Sequence, residues 1–435
     1  MAEQFVIHTS LLFDPKKKAF VSNISVTVDP ITGLITAINA RPSSALPNPL
    51  PFGDIDLTSK IVLPGLVDAH THIFLHSYAE KPSLEQKRDA SAAERVIRAT
   101  NHLRTALLAG YTTYRDLGSE SMGEADANVR DAVARGLTPG PRLFVATRVL
   151  ASTGAYEPRT ENGHGSCGGS GGCSLPAGSD SVDGVDEARK AVRRRIAAGA
   201  DVIKFYADYR RRVMRFPPKQ LHPYEGSVLC PPETPNPDVM VFAQEEMDMI
   251  VREARLARCP VAAHCGTVEA GLAAAAAGVT TIEHSYFADD ELFRGMAAKG
   301  IVFVPTLAVC ERLHGPRFPQ ILAQTKRAYD LGVRFAAGGD TGTFPHGENA
   351  REMELMIEAG IPVEDALESC TVGGWEACGG DWSGFRFGWF EPGVRADIIA
   401  LDADPREEKQ ALRKVSFVMK DAKVWKKDGI AVGMV

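Results

Sequence analysis

The stretch "GLVDAHTHIF" (residues 65–74) places Asp68, His70 and His72 on alternate residues of a short apolar strand. Side chains two residues apart on a strand point to the same face, so we expect these three to share one face. A buried carboxylate and two imidazoles are costly without partners. Because neutral imidazole is the commonest metal ligand, His-x-His at a strand end predicts a metal site. The alternative is a pair of hydrogen-bonded core histidines.

Composition excludes several classes of protein. The chain has 435 residues, is 44% hydrophobic and 24% charged, and carries a net charge of −6. This balance does not suggest a nucleic-acid or membrane-surface binder. The N-terminus "MAEQFVIHTS" lacks the features of a signal peptide, and no apolar run is long enough to span a bilayer. We therefore expect a cytoplasmic enzyme with neither nucleic acid nor membrane as partner.

The middle of the chain repeats a unit made of an Ala-rich helix, a glycine and a short β-branched strand. "LAAAAAGVTTIEHS" and "RIAAGADVIKFY" are examples. The glycines fit the position after a helix where positive φ is required, and they are Gly110, Gly199, Gly278, Gly300 and Gly332. Eight such strands predict an α/β fold of the (β/α)8 TIM-barrel type, with chemistry at the C-terminal strand ends. An open doubly wound sheet is the alternative, but no Gly-rich phosphate loop follows the first strand.

The two ends of the chain have a different pattern. "FVIHTSLLFD" and "FVSNISVTVD" near the start, and "ADIIALDAD" and "VSFVMKD" near the end, alternate apolar and polar residues as β-strands do. We therefore divide the chain into a β region at residues 1–63, a barrel at 64–382 and a second β region at 383–435.

Ionisable side chains collect at the ends of six predicted strands. They are His70 and His72, Arg115 and Asp116, Lys204, His264, Glu283 and His284, and Asp340. Four histidines and one aspartate exceed what a single tetrahedral zinc ion with an open position needs. A charged lysine inside a barrel strand is costly, so Lys204 is expected to be neutral, paired or modified.

The ordered set His70-Thr71-His72, Lys204, His264, His284 and Asp340 resembles the amidohydrolase superfamily. The surrounding segments "LPGLVDAHTH", "GYTTYRDLG", "VAAHCG", "GGDTG" and "FEPGVRADIIALD" match it as well. Within the superfamily the chain is most similar to Xaa-Pro dipeptidases and ochratoxinase-like amidases. The chain departs from the usual pattern at Gly338-Gly339. Deaminase relatives carry glutamate at the position of Thr267, which argues against deamination.

The resemblance implies a binuclear zinc enzyme whose Lys204 is carboxylated by CO2 and bridges both ions. The implied metal ligands are His70, His72, Lys204, His264, His284 and Asp340. The implied reaction is hydrolysis of an amide bond by a metal-bridging hydroxide, with Asp340 moving the proton to the leaving amine. The resemblance also implies that the two terminal β regions form a small β-sandwich beside the barrel.

Simpler roles exist for individual residues. Lys204 could form an ion pair with Asp116 or Asp208, and Asp340 could cap a helix. Asp68 could support the ligands or be purely structural.

Four residues are candidate substrate contacts. His164 lies in the Gly-rich segment after the third strand, where "NGHG" resembles the family's substrate loop, and His346 follows Asp340. Arg210 and Arg211 follow the fourth strand and suit a substrate carboxylate.

The expected substrate is a small amide: a dipeptide, an Xaa-Pro dipeptide, an N-acyl amino acid or a mycotoxin-like amide. Hydrolysis of a cyclic amide or an ester, or a decarboxylation, would use the same scaffold, and a substrate panel separates these reactions. A non-catalytic assembly protein is an alternative of another class, but the complete ligand set argues against it. We also expect a homo-oligomer.

Overall fold

The computed structural model describes residues 3–42, 45–156, 177–210 and 238–434. The strands of these residues are β1 Phe5–Asp14, β2 Ala19–Ser22, β3 Ile24–Asp29, β4 Leu34–Ala40, β5 Ile55–Pro64, β6 Leu66–Thr71, β7 Tyr111–Asp116, β8 Arg142–Val145, β9 Val149–Ala151, β10 Ser179–Ser181, β11 Ile203–Tyr206, β12 Asp208–Arg210, β13 Asp238–Met240, β14 Val261–Cys265, β15 Thr281–His284, β16 Val302–Val304, β17 Arg334–Phe335, β18 Ile398–Leu401, β19 Val415–Lys420, β20 Lys423–Lys427 and β21 Ile430–Ala431.

The α-helices of the same residues are α1 Ser83–Asp89, α2 Ala92–Leu108, α3 Ala125–Ala134, α4 Val185–Ala197, α5 Gln244–Leu256, α6 Val268–Ala277, α7 Asp290–Lys299, α8 Leu307–His314, α9 Phe318–Asp330, α10 Arg351–Glu358, α11 Val363–Ser369 and α12 Val372–Ala377. Short 3-10 helices cover Gly315–Arg317, Gly380–Ser383 and Lys409–Arg413. No helix among the described residues is both long and apolar enough to cross a membrane.

The two ends of the chain meet in one mixed sheet. Its strand order is β21-β20-β19-β18-β5-β1-β3-β4, and β2 pairs with β1. Strand β1 runs parallel to β5, whereas β18 runs antiparallel to it. The alternating apolar residues of these strands bury one cluster that includes Ile7, Val26, Val62, Ile398 and Phe417. The terminal segments are thus β structure, as their alternation predicted.

Parallel strands form the middle of the molecule. Strands β6, β7 and β8 make one sheet, and a second sheet has the order β10-β9-β11-β14-β15-β16-β17. Backbone hydrogen bonds also link the two sheets. Ala69 N donates to Ala337 O (2.9 Å), Thr341 N to His70 O (3.1 Å) and Asp201 N to Val145 O (2.8 Å). All eight strands expected from the repeat are present, and their C-terminal ends carry the candidate ligands.

The glycines of the repeat adopt the predicted conformation. Their φ angles lie between 65° and 96°, and they are Gly110, Gly199, Gly278, Gly300 and Gly332. Gly278, for example, ends the Ala-rich helix α6 in the left-handed region, where a side chain would be strained. Each helix can therefore turn at once into the next buried strand.

Four short strands were not predicted. Strands β9 and β10 lie between the third and fourth strands of the repeat, and β9 pairs with β11 at Leu150 and Phe205. Strand β12, which follows β11, pairs antiparallel with β13. They have only three residues each, which is too few for a readable periodicity.

Candidate active site

His70 and His72 converge on Asp340, which follows β17. The Nε2 atom of His72 lies 3.2 Å from Asp340 Oδ1, and the Nε2 atom of His70 lies 3.7 Å from the same oxygen. All three side chains offer donor atoms within 4.8 Å of one another, which is close enough to hold one metal ion. The first and last strands of the repeat thus bring their end residues together.

His264 and His284 extend this cluster from the neighbouring strands. Cys265 of β14 is in register with His284 of β15, so the two strands end at one level. The rings of His264 and His284 lie 4.5 Å apart between centroids, and those of His70 and His284 lie 5.0 Å apart. The four imidazoles therefore form a continuous group.

Protonation differs among these imidazoles. Burial and the nearby Lys204 lower the pKa of His70 to about 4, so it is neutral near pH 7, as a metal ligand must be. Burial opposes a charge on His72 too, but Asp340 and Glu120 raise its pKa to about 9. Burial also opposes ionisation of Asp340, yet His70, His72 and Lys204 hold its pKa at about 2. A divalent cation bound here would replace the proton of His72.

Lys204 lies in β11, with only 3% of its surface exposed. Its Nζ atom is buried and has no hydrogen-bond partner among the described residues. Burial lowers its pKa to about 8. Neither Asp208 nor Asp116 pairs with it among the described contacts. Asp208 accepts from Gly266 N (2.8 Å) and Thr267 N (2.6 Å), and Asp116 accepts from Ile73 N (2.8 Å). A buried ammonium group beside imidazoles carries a high desolvation cost, and this cost favours chemical modification of the lysine.

The backbone near these side chains is strained. His284, Thr306 and Asp340 have φ angles of 72°, 51° and 61°, in the left-handed region that non-glycine residues rarely adopt. Asp340 does not cap a helix, because its backbone oxygen receives the Thr343 N–H (3.2 Å) and the next described helix, α10, begins at Arg351. Such strain is characteristic of functional sites.

Gly338 explains the departure from the family pattern before Asp340. A Cβ atom on Gly338 would lie 2.6 Å from His70 N and 2.9 Å from His70 Cβ. Only glycine allows this segment to approach β6 so closely. The close approach brings the Asp340 side chain to the two histidines.

The structure specifies the role of Asp68, for which support of the ligands and a purely structural role were both open. The pairing of β6 with β7 shifts register between Asp68 and Thr71, so simple alternation fails there. The carboxylate of Asp68 accepts from His70 N (3.0 Å), Thr341 Oγ1 (2.7 Å) and Asn349 Nδ2 (2.6 Å). It therefore ties β6 to the segment that carries Asp340 instead of joining the ligands.

Comparison with known proteins places this geometry in a family. The sequence profile of the amidohydrolase family matches residues 61–429. The chain belongs to the amidohydrolase family. It is 29% identical over 399 residues to ochratoxinase of Aspergillus niger, a match that covers 85% of this chain and 76% of that protein. Membership of this family implies a TIM-barrel fold and the activity of a hydrolase that acts on amide C–N bonds.

Solved structures agree with this assignment. A crystal structure of a Xaa-Pro dipeptidase with bound methionine in the active site superposes with a TM-score of 0.78 at 29% identity, covering 98% of this chain and all of that chain. The crystal structure of A. niger ochratoxinase superposes with a TM-score of 0.79 at 25% identity, covering 99% and 97% of the two chains.

The predicted substrate contacts of this amidohydrolase are only partly described. His164 and Arg211 lie outside the described residues. Arg210 ends β12, and its guanidinium lies 5.8 Å from the Tyr209 ring centroid. His346 is buried, with Nε2 3.3 Å from Leu75 O and its ring stacked on His102 at 4.3 Å. These contacts pack His346 against α2, and its contact with substrate remains a prediction.

Sequence reasoning missed several groups that hold the amidohydrolase's imidazoles in place. His72 Nδ1 lies 3.2 Å from Gly118 O, and His284 Nδ1 lies 2.9 Å from Thr306 Oγ1 and 3.1 Å from Tyr286 Oη. Such neutral acceptors have no sequence signature.

One charged cluster beside His72 was also missed. Glu120 pairs with Lys87, accepts from Tyr156 Oη (2.9 Å) and lies 3.5 Å from His72 Nδ1. Tyr156 in turn stacks on Tyr206 at 4.6 Å. These residues come from separate segments, so only the folded structure brings them together.

Proposed function

We propose that this amidohydrolase is a metal-dependent enzyme that holds two zinc ions at the C-terminal ends of its barrel strands. The observation that carries the proposal is the buried Nζ atom of Lys204, which has no hydrogen-bond partner among the described residues and lies in a site of four imidazoles and a carboxylate. As a carbamate, this side chain would become a hard oxygen ligand that two divalent ions can share. Its lowered pKa favours the neutral amine that reacts with CO2.

The ligand assignment follows the geometry. His70, His72 and Asp340 converge on one point, and we assign them to the first ion. His264 and His284, with rings 4.5 Å apart, would hold the second ion. Carboxylated Lys204 would be shared by both ions. Six donors suit two catalytic zinc sites that keep open positions for water and substrate.

The protein's own groups would then move the proton. Bound zinc supplies Lewis acidity toward the amide carbonyl and lowers the pKa of water to about 7. Asp340 takes the proton as water attacks the carbonyl carbon. It then delivers that proton to the nitrogen as the C–N bond breaks.

The proposed substrate is a small amide with a free carboxylate beside the scissile bond, such as an Xaa-Pro dipeptide or an N-acyl amino acid. Arg210 ends β12, the strand after β11, and Arg211 follows it in the sequence. Arginine pairs bidentately with carboxylate. We assign these two, together with His164 and His346, to substrate binding. The similarity to an ochratoxinase and to a Xaa-Pro dipeptidase supports this class.

The architecture proposed with this function is a closed (β/α)8 barrel at residues 64–382. The hydrogen bonds between the two parallel sheets support closure. The terminal strands of residues 1–63 and 383–435 would make a small β-sandwich beside it. We further propose a cytoplasmic homo-oligomer.

A matched substrate panel tests the proposal. Xaa-Pro dipeptides and N-acyl amino acids should be hydrolysed, and their C-terminal amides should show kcat/KM at least about tenfold lower, because the amides cannot pair with arginine. Arg210→Gln should narrow that difference, whereas Arg189→Gln, in α4 and paired with Asp186, should not. Equal kcat/KM for acids and amides would show that no arginine pairs with the substrate carboxylate. No hydrolysis of any amide by zinc-loaded protein would overturn the function.

A further inference from the structure

Glu283 directly precedes His284 in β15, and its side chain lies within the barrel interior with no exposed surface. Its Oε2 atom lies 2.8 Å from His70 Nδ1, and its Oε1 atom accepts a hydrogen bond of 2.8 Å from Arg115 Nη2. The carboxylate therefore bridges a metal-site imidazole on β6 and a guanidinium on β7.

Arg115 is itself held in one position. Its Nε donates to Ala69 O (2.6 Å), and its Nη1 donates to Thr281 Oγ1 and Ala377 O (3.0 Å each). The guanidinium has no exposed surface. A fully buried Arg–Glu pair contributes little net stability compared with apolar residues of similar volume. Its location beside His70 calls for a different explanation.

The hydrogen-bond partner of Nδ1 in His70 differs from the partners of Nδ1 in His72 and His284. The nearest acceptor of His72 Nδ1 is the Gly118 carbonyl at 3.2 Å, with a Glu120 oxygen further away at 3.5 Å. His284 Nδ1 meets hydroxyl groups. At the Nδ1 atoms of these three imidazoles, only that of His70 has a carboxylate oxygen as its nearest described partner.

We infer that Glu283, anchored by Arg115, is a positioning residue that fixes His70 in the Nδ1–H tautomer and thereby strengthens metal binding at Nε2. The inference rests on the proposed function in that His70 is taken as a ligand. A carboxylate that accepts the Nδ1 proton orients the ring and makes Nε2 a stronger donor. Glu283 lies on β15 and Arg115 on β7. Together they fix the His70 ring relative to Asp340.

The first test uses metal-free protein labelled with 15N-histidine, so it does not depend on activity. The ring nitrogens of His70, assigned by comparison with His70→Asn, should show a proton on Nδ1 and a bare Nε2. Glu283→Gln should shift both nitrogens toward a mixture of tautomers. Unchanged shifts in Glu283→Gln would overturn the inference.

The second test measures zinc affinity by competition with a chelator. Glu283→Gln should weaken the tighter zinc site about 10- to 100-fold, which is the usual effect of removing such a partner. Glu368→Gln is the matched control. Glu368 is also buried and pairs with an arginine, Arg334, at 2.7 Å. Arg334 begins β17, whereas Asp340 follows the other end of that strand. The control should keep wild-type affinity.

Glu283→Gln leaves the buried Arg115 charge unpaired and can prevent folding. The double variant Arg115→Met/Glu283→Gln removes both charges and serves in its place. It should fold and show the same tautomer mixture and weaker zinc binding. Wild-type zinc affinity in a folded variant would overturn the inference. If the wild-type protein binds no zinc, the proposed function fails, whereas the tautomer measurement still decides the role of Glu283.

Discussion

Lys204 is the residue on which the proposed metal centre depends most. A buried ammonium without a hydrogen-bond partner among the described residues is costly. Conversion to a carbamate would remove the positive charge and supply two oxygen ligands. We therefore propose that Lys204 is a modified ligand and not a structural cation.

We predict that Lys204→Ala stays folded but loses both zinc and activity, the latter by at least about 100-fold. A short carboxylic acid such as propionate should partly restore both, because it can fill the vacated space with a carboxylate. Metal analysis and amide hydrolysis with and without the acid are the measurements. Full activity of the variant without added acid would contradict the bridging role.

The sequence identified the ionisable residues but not all of their orientations. The positions at the ends of strands one, four, five, six and eight of the repeat were enough to predict one cluster of His70, His72, Lys204, His264, His284 and Asp340. Asp68 was placed on the ligand face because simple alternation was assumed. The register shift between Asp68 and Thr71 depends on pairing with β7 and the close approach of Gly338, neither of which periodicity reveals.

At the scale of the elements, β7 and α3 meet through two buried carboxylates. Asp116 ends β7, and its Oδ2 atom is buried without a hydrogen-bond partner among the described residues. Asp126 in α3 accepts from Ala127 N and Thr147 N, both at 2.8 Å. Burial raises the pKa of Asp126 to about 7, and burial together with the nearby Asp126 raises the pKa of Asp116 well above its usual range.

These two pKa shifts make the stability of the folded protein depend on pH. Both folded-state pKa values lie above the unfolded values, so the folded protein holds extra protons between about pH 4 and pH 7 and loses stability as pH rises. Asp116→Asn should remove part of this loss and be roughly 1–3 kcal/mol more stable than wild type at pH 8. Denaturant unfolding at several pH values measures it.

The exposed Asp131 of the same helix provides the control. Asp131→Asn should leave the pH dependence of unfolding unchanged, because its side chain is 56% exposed and pairs with Arg130 at the surface. An Asp116→Asn variant with the pH slope of wild type would contradict the account of this carboxylate pair.

The elements themselves were largely predictable because two periodicities alternate along the chain. Helix, glycine and β-branched strand recur, and each glycine marks a left-handed turn. What escaped prediction were β9, β10, β12 and β13, whose three-residue strands depend on neighbours far apart in sequence. Tertiary pairing, not local propensity, creates them.

At the scale of the whole molecule, one buried ion-pair group joins the parallel strands to the terminal sheet. Arg142 begins β8, and its guanidinium donates to Asp397 Oδ2 (2.8 Å) and Asp421 Oδ1 (2.6 Å), which flank strands of the terminal sheet. Asp397 also receives the Asp421 N–H (2.8 Å). The two parts are thus tied through charges withdrawn from water.

Arg142→Met should therefore lower the free energy of unfolding by about 3–5 kcal/mol, because it leaves the fully buried Asp397 carboxylate without its charged partner. Arg98→Met is the matched control, since Arg98 pairs with Glu80 and Glu94 at the surface and should cost at most about 1 kcal/mol. Urea titrations of both variants compare them. Equal destabilisation would show that the Arg142 group does not join the two parts.

We propose that amide hydrolysis depends on two zinc ions held by the strand-end ligands. The most direct measurement removes metal with a chelator, restores zinc in steps in the presence of bicarbonate, and follows bound zinc and hydrolysis of an N-acyl amino acid in the same samples. We expect negligible activity without metal and full activity at two ions per chain. Full activity in metal-free protein, or saturation at one ion per chain, would contradict it.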